Sequence, residues 1–174
     1  KLPLHPRLAH MEIEGTDRGL GYTAALLALC LSEPGLGGRD PDLRVRLRAL
    51  RHDKGQRARD GRSLAARWLK QAGGAGTEID IESAGLLLAL AYPDRVAQAR
   101  GQTGRFRLAN GRGAELEQAN ALAGEQFLVV ADIQGKAANG RIQLCAPISK
   151  DEIEDLFAGE IVEFGSNVQD IDLG

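Results

Sequence analysis

Residue types that build metal centres, disulfide frameworks and aromatic stacking surfaces are scarce in this 174-residue sequence. Two cysteines occur, Cys30 and Cys145, without a C-x-x-C motif, and the three histidines are scattered, so no zinc site is expected. Each cysteine lies in an apolar run, which predicts a buried and reduced thiol. Aromatic residues form 4% of the chain, so few side chains are available to stack on nucleobases.

Several functional signatures are absent as well. No apolar run of membrane-spanning length and no secretory signal occurs, which predicts a cytoplasmic protein that does not bind membranes. The phosphate loop G-x-x-x-x-G-K-[ST] is missing, and no nucleophile and base suggest a catalytic triad. The stretch "DEIE" (151–154) has the composition of the acidic magnesium motif of helicases, but Ile153, Leu156 and Phe157 follow the period of a helix. The sequence therefore predicts no catalytic residue, no metal ligand and no bound cofactor.

The charges that are present are strongly separated along the chain. The formal net charge is -2, yet residues 39–70 contain 11 lysines and arginines against four acidic residues. Residues 151–174 contain eight acidic residues and no lysine or arginine. A molecule polarised in this way steers charged partners toward itself.

Apolar residues at helical spacing predict that the first half of the chain is a bundle of helices. Pro6 is placed in the first turn of the first helix, where proline is tolerated. The third helix is predicted to begin with Asp40 as its N-cap and Pro41 in its first turn. The five predicted helices comprise two within residues 5–32 and one each over residues 40–52, 56–72 and 80–91.

Three arginines of the third helix, Arg44, Arg48 and Arg51, share one face at helical spacing. They are candidates for contact with a phosphate backbone. The same spacing also fits a solvated helix face on which arginines pair with local aspartates.

The period of apolar residues changes to two near Gly101, after a turn predicted over residues 94–100. The stretches "RFRLA", "AELE", "EQFLVVADI" and "GRIQLCAPI" are predicted strands, "KDEIEDLFAGE" a helix, and "IVEFG" one more strand. The predicted fold is α+β: a helical bundle over residues 1–100, followed by a small, partly open OB-like β-barrel over residues 101–174. Because the chain opens at Lys1 without an initiator methionine, we expect it to be a truncated piece of a longer protein.

The stretch "RFRLANGRGAEL" is predicted to be a hairpin rather than a phosphate-binding loop. A dinucleotide fingerprint needs a third glycine at the position of Leu116, whereas Asn110-Gly111 is a strong signal for a tight turn. Alternation along the strands directs Phe106 and Leu108 inward. The outward arginines are candidates for nucleic-acid binding: Arg105, Arg107, Arg112 and Arg141.

Four motifs of the sequence are those of a known family: "LPLHPRLAHM" (2–11), "GLLLALAYPDRVAQARG" (85–101), "RFRLANGRGAEL" (105–116) and "FLVVADIQGKAANGRIQLCAPI" (127–148). They resemble the HrpB family of bacterial DEAH-box-like ATP-dependent RNA helicases, in the region that follows the two RecA-like motor domains. The resemblance implies a helical-bundle, or ratchet, domain followed by an OB-like domain. It implies ATP and magnesium for the parent helicase, although this sequence has no nucleotide-binding residues of its own.

The resemblance implies that this region guides single-stranded RNA or DNA while the motor domains of the same chain pull it. The alternative is a protein-interaction or regulatory module that binds no nucleic acid, which the acidic end and the few aromatic residues favour. A third possibility is a stand-alone enzyme with a pocket near Tyr92 and Asp94, at the junction of the helical and β halves.

Overall fold

Five helices form the first half of the chain and a five-stranded barrel forms most of the second. The computed structural model describes residues 1–135 and 138–158. Within them the helices are α1 Pro6–Asp17, α2 Gly21–Ser32, α3 Leu43–His52, α4 Gln56–Gln71, α5 Ala84–Ala91 and α6 Lys150–Phe157. The strands are β1 Val96–Ala99, β2 Arg105–Leu108, β3 Gly113–Glu115, β4 Phe127–Gln134 and β5 Asn139–Pro147. The predicted α+β fold class, helices followed by an OB-like barrel, is confirmed.

Helix α2 is the centre of the bundle. Its residues from Gly21 to Cys30 are all buried, because α1, α3, α4 and α5 pack around it. A helix that is apolar on every side is expected in such a position. Helix α1 begins at Pro6, in the first turn, as predicted.

The predicted start of α3 is wrong by two residues. Asp42, not Asp40, is the N-cap, and its carboxylate accepts a hydrogen bond from the backbone N–H of Arg44 at 2.9 Å. Pro41 lies before the helix, and its carbonyl oxygen accepts a hydrogen bond from the backbone N–H of Cys145, at 2.8 Å. This contact ties the segment before α3 to strand β5, an interaction that local sequence does not encode.

The barrel has the strand order β1-β2-β3-β5-β4 and closes by antiparallel pairing of β4 with β1. It is therefore a closed barrel rather than the partly open one that we predicted. Strands β3 and β5 pair in parallel, and all other neighbours are antiparallel. The pairing of β4 with β5 shifts register between Val130 and Ile133, and such bulges bend strands and help a sheet to close.

Strand β1 was not predicted. Residues 96–99 form it, so the turn predicted over 94–100 is wrong there, and the barrel begins within the range assigned to the helical half. The segment "VAQA" has little β propensity and becomes a strand because it pairs with both β2 and β4. The predicted helix over "KDEIEDLFAGE" is confirmed over α6, with Ile153 buried. The strand predicted for "IVEFG" lies outside the described residues.

Strand β4 separates two cores. Phe127 and Val129 pack with the helices, whereas Leu128 and Val130 point into the barrel. Helix α5 lies against β4 and β5, where Gly85 allows close approach, since a Cβ there would overlap the carbonyl oxygen of Pro147. The helices therefore cover the β4 side and leave the outer surface of β2 and β3 exposed.

Both cysteines are buried and free, as predicted. Burial raises the pKa of the Cys30 thiol to about 11 and that of Cys145 to about 12, so both are inert at neutral pH. None of the described helices has the length and apolarity that crossing a membrane requires.

Candidate functional site

The exposed face of the barrel is formed by β2, β3 and the first half of β5. Strand register aligns Arg105 with Glu115, and Glu115 with Arg141, so that one row of charged side chains crosses three neighbouring strands. The next row contains Arg107, opposite Gly113. Alternation directs these side chains to solvent while their neighbours Phe106 and Ile142 fill the barrel.

Three of the four predicted β-surface arginines, Arg105, Arg107 and Arg141, are exposed on this face. Within the described residues, none of the three makes an ion pair or a side-chain hydrogen bond. Their guanidinium groups are therefore available to bind an anionic partner. No observation tests their role directly, so nucleic-acid binding by these residues stays a prediction.

A cleft of about 260 Å³ opens beside the charged row. The β1–β2 loop forms one wall, and the segment that follows β3 forms the other. Its polar lining includes Gln102, Arg105, Glu115, Glu117, Gln118 and Arg141. None of the described residues that line it is aromatic.

Gly104 lets the β1–β2 loop come close to the opposite wall of the cleft, which is the segment that follows β3. Its φ is +88°, and a Cβ at this position would lie 2.5 Å from the carbonyl oxygen of Leu116. The two residues are joined by a hydrogen bond from the backbone N–H of Leu116 to the carbonyl of Gly104, at 2.8 Å. Any other residue would push the wall outward and widen the cleft.

The predicted tight turn at Asn110-Gly111 is confirmed as the connection of β2 to β3. The loop closes through a hydrogen bond from the N–H of Gly111 to the carbonyl of Leu108, and Gly111 has φ 91°. The side chain of Asn110 accepts a hydrogen bond from the N–H of Arg112 at 2.9 Å. A turn completed by a glycine with positive φ is a common three-residue hairpin loop.

Arg112, the fourth predicted arginine, does not point freely to solvent. It is half-buried, and its Nη2 donates a hydrogen bond to the carbonyl of Gly135 at 3.1 Å. This contact joins the β2–β3 hairpin to the end of β4. Arg112 therefore holds the β2–β3 hairpin in place beside the exposed barrel face, and it does not add a free charge to that face.

The arginines of α3 also divide into residues held by local partners and a residue that is exposed. Arg44 is held by the carboxylates of Asp42 and Glu82, at 3.0 and 3.2 Å, and Arg51 donates to the carbonyl of Ile79 at 3.0 Å. Arg48 is exposed and has no partner among the described residues. Two of the three arginines are held by local partners. This helix face is therefore better described as a solvated surface of paired charges than as a surface that binds a phosphate backbone.

The junction proposed for an enzyme pocket is filled by a cluster of paired side chains. Arg7 donates to Asp94 at 2.6 Å and to the carbonyl of Ala91 at 3.1 Å. The guanidinium groups of Arg7 and Arg95 each lie 5.3 Å from the centre of the Tyr92 ring, within cation–π range. The hydrogen bond from Arg7 lowers the pKa of the Asp94 carboxyl, so the pair stays charged. These contacts join α1 to the start of the barrel, so the described side chains of Arg7 and Asp94 are already engaged with each other.

Sequence reasoning did not single out Glu115 and Gln102, which lie in the middle and at the edge of the face. The signal for Glu115 was present, because alternation in "AELE" directs Ala114 inward and Glu115 outward. The parallel pairing with β5 that places Glu115 beside Arg141 is a long-range contact without a local signal. Among the described residues, no group of three histidine, cysteine or acidic side chains is placed to hold a metal ion.

Comparison with known proteins shows which protein this chain is similar to. No family model matches the chain. The ATP-dependent RNA helicase HrpB of Escherichia coli K12 is 37% identical over 150 residues, which are 85% of this chain and 18% of that protein. The chain is homologous to a part of HrpB.

Solved structures of HrpB agree with this assignment. The crystal structure of the E. coli DExH-box NTPase HrpB matches with a TM-score of 0.73 and 32% identity, over 90% of this chain and 19% of that one. A second, of the E. coli DEAH/RHA helicase HrpB, matches with a TM-score of 0.69 and 33% identity, over 84% of this chain and 18% of that one. The resemblance that the four sequence motifs indicate is therefore confirmed, and the chain spans less than a fifth of HrpB.

Proposed function

We propose that this chain is an accessory part of a helicase that guides a single strand of nucleic acid along the exposed face of its barrel. The observation that carries the proposal is the set of exposed arginines on β2 and β5, Arg105, Arg107 and Arg141, which have no ion-pair partner among the described residues. In OB-folds the face around strands 2 and 3, with the adjoining β1–β2 and β4–β5 loops, is where oligonucleotides bind. Arg112 holds the β2–β3 hairpin against the end of β4.

The proposed mechanism is positioning by charge. Guanidinium groups bind phosphates strongly, and contacts with phosphates fix the path of a strand without reading its sequence. The chain contains no phosphate loop, so ATP and magnesium are assigned to the motor domains of the helicase. RNA is the proposed ligand because the homologous protein is described as an RNA helicase.

The first prediction concerns the salt dependence of binding. We expect fluorescence anisotropy with a labelled single-stranded RNA to show an affinity that falls with salt, with a slope of about -0.7 per phosphate neutralised. Changing Arg105 and Arg107 to Glu should weaken binding to all sequences and flatten the slope. The loss of two phosphate contacts and the added repulsion both act in this direction.

A matched control reverses Arg67 and Lys70, which are exposed on α4, a helix that packs against α1 and α2. This control changes the net charge by the same amount but leaves the barrel face unaltered, so its slope should equal that of the unmodified chain. Equal losses from both double variants would mean that only net charge matters. An absence of binding by the unmodified chain would favour the alternative of a protein-interaction module.

A further inference from the structure

A carboxylate lies in the centre of the proposed phosphate-binding face. Glu115 is exposed on β3, between Arg105 on β2 and Arg141 on β5, one strand spacing from each. A negative charge at this point repels phosphates, so a face that only attracts a backbone gains nothing from it. The position of Glu115 therefore requires a second explanation.

The usual explanation for such a residue is a cross-strand ion pair that stabilises the sheet. Within the described residues, however, Glu115 makes no ion pair with Arg105 or Arg141, and its oxygens accept no hydrogen bond. The carboxylate thus keeps its acceptor capacity while two guanidinium groups nearby offset its charge. Such a group is prepared to accept hydrogen bonds from a ligand.

The cleft beside Glu115 has the lining of a site that recognises polar groups. Gln102 and Gln118 contribute amides from the two walls, and Glu117 contributes a second carboxylate at the edge. Since none of the described lining residues is aromatic, a base in this cleft is held by hydrogen bonds to its edge rather than by stacking. Single-stranded RNA exposes base edges for this kind of recognition.

The chemistry of a carboxylate restricts which base fits. An ionised glutamate only accepts hydrogen bonds. Guanine has two neighbouring donors on its Watson–Crick edge, N1–H and the N2 amino group, which match the two oxygens of one carboxylate. On the other bases each donor on that edge lies beside an acceptor, which the carboxylate repels.

We infer that Glu115 selects guanine at one position of the bound single strand, with Arg105 and Arg141 contacting the phosphates on either side. The two arginines lie two strand spacings apart, about 10 Å. Their positive charges lie on both sides of the carboxylate, which lowers the cost of removing it from water when the base binds. The inference rests on the proposed function, and it adds base preference to a face that would otherwise bind every sequence equally.

The test uses labelled uridine-rich RNAs of about eight nucleotides, within the site size of one OB fold, that differ at one central base. The central base is guanine, adenine, cytosine, uracil or hypoxanthine, which keeps N1–H but lacks the N2 amino group. We expect the guanine oligonucleotide to bind about five- to tenfold more tightly than the adenine, cytosine and uracil ones, at the lower end for one bidentate contact. Hypoxanthine should bind with intermediate affinity.

The variant Glu115→Gln keeps the size of the side chain but replaces one acceptor oxygen with an amide donor. It should abolish the preference for guanine while it raises the affinity for the other oligonucleotides, because a negative charge is removed. The control Glu154→Gln makes the same change in charge at an exposed position of α6, outside the lining of the cleft, and should keep the preference. Equal melting temperatures of the two variants establish that both are folded, as expected for exposed side chains.

The possible failures are distinguishable. An unmodified chain that binds none of the oligonucleotides overturns the proposed function together with this inference. Binding that depends on Arg105 and Arg107 but is equal for all five central bases overturns the inference alone. The inference is also overturned if Glu115→Gln raises the affinity for all five by the same factor, because Glu115 would then act only by repelling phosphates.

Discussion

At the scale of single residues, the least expected feature is a carboxyl group inside the helical bundle. The sequence pattern treats Glu12 as a polar interruption of the apolar stripe of α1, yet it has no exposed surface. Within the described residues neither of its oxygens has a hydrogen-bond partner, and burial raises its pKa to about 8. The Thr16 hydroxyl, one turn along the helix, acts to lower the pKa of Glu12, but it is not within hydrogen-bond geometry of the carboxyl group. Burial of this kind is decided by the neighbouring helices, which the residue type alone does not indicate.

Glu12 should make the stability of the chain depend on pH. In the unfolded chain its pKa is near 4.5, so between about pH 4.5 and pH 8 the unfolded state has lost a proton that the folded state keeps. The free energy of unfolding should therefore decrease as pH rises across this interval, by at most about 1.4 kcal/mol per pH unit, and level off above it. Glu12→Gln should remove this slope and increase stability at neutral pH. Urea unfolding between about pH 4.5 and pH 8 measures this pH dependence of the free energy of unfolding. Asp17→Asn, at an exposed residue of the same helix, is the control. Parallel curves for Glu12→Gln and the unmodified chain would contradict the expectation.

At the scale of elements, the sequence predicted what local periodicity determines. It located α2, α4 and α5, the strand β2 with its inward Phe106, and the Asn110-Gly111 turn, because each depends on neighbouring residues. It missed β1 and the start of α3, because both depend on pairing with distant strands. The residues of the candidate site likewise divide into those placed by local alternation and those placed by distant contacts. Alternation along β2 correctly placed Arg105 and Arg107 on the outside, whereas the partners of Arg44 and Arg112 come from other elements.

The contact between α5 and β5 gives a prediction at this scale. Gly85→Ala places a methyl group against the backbone of Pro147, which cannot move without shifting the end of the strand. We expect a loss of about 1–3 kcal/mol in the free energy of unfolding, the usual cost of overpacking. Gly124→Ala is the matched control, because a Cβ there meets nothing within 4 Å. Chemical denaturation of both variants measures the difference. If the two substitutions proved equally mild, α5 would not be seated on the barrel as described.

At the scale of the whole molecule, the outer side of the barrel shares a core with the helices, while the barrel interior has a core of its own. Val96, Phe127, Ala146 and Ile148, all from the second half of the chain, belong to the apolar cluster that contains α2 and α5. The cluster of Arg7, Tyr92 and Asp94 adds a polar connection at the surface. This shared core explains why two of the motifs with the family resemblance, "LPLHPRLAHM" and "YPDR", lie far apart in sequence yet meet in space. The division into domains at residue 101 stays a prediction, and the shared core indicates that the two parts unfold together.

Limited proteolysis tests this view of the molecule. Among the described residues, we expect a non-specific protease to cut first in the glycine-rich loop at residues 73–78 or in the β1–β2 loop at residues 100–103. Both loops are exposed almost throughout, and the backbone amides of residues 75–78 donate no hydrogen bond to other backbone groups of the described chain. Because the core crosses from the helices to β4, fragments from a single cut in either loop should stay together on a sizing column and separate only in denaturant. Two outcomes would argue against this architecture. Early cleavage inside α5 would mean that this helix is not buried, and fragments that separate without denaturant would mean that the helices and the barrel fold as independent domains.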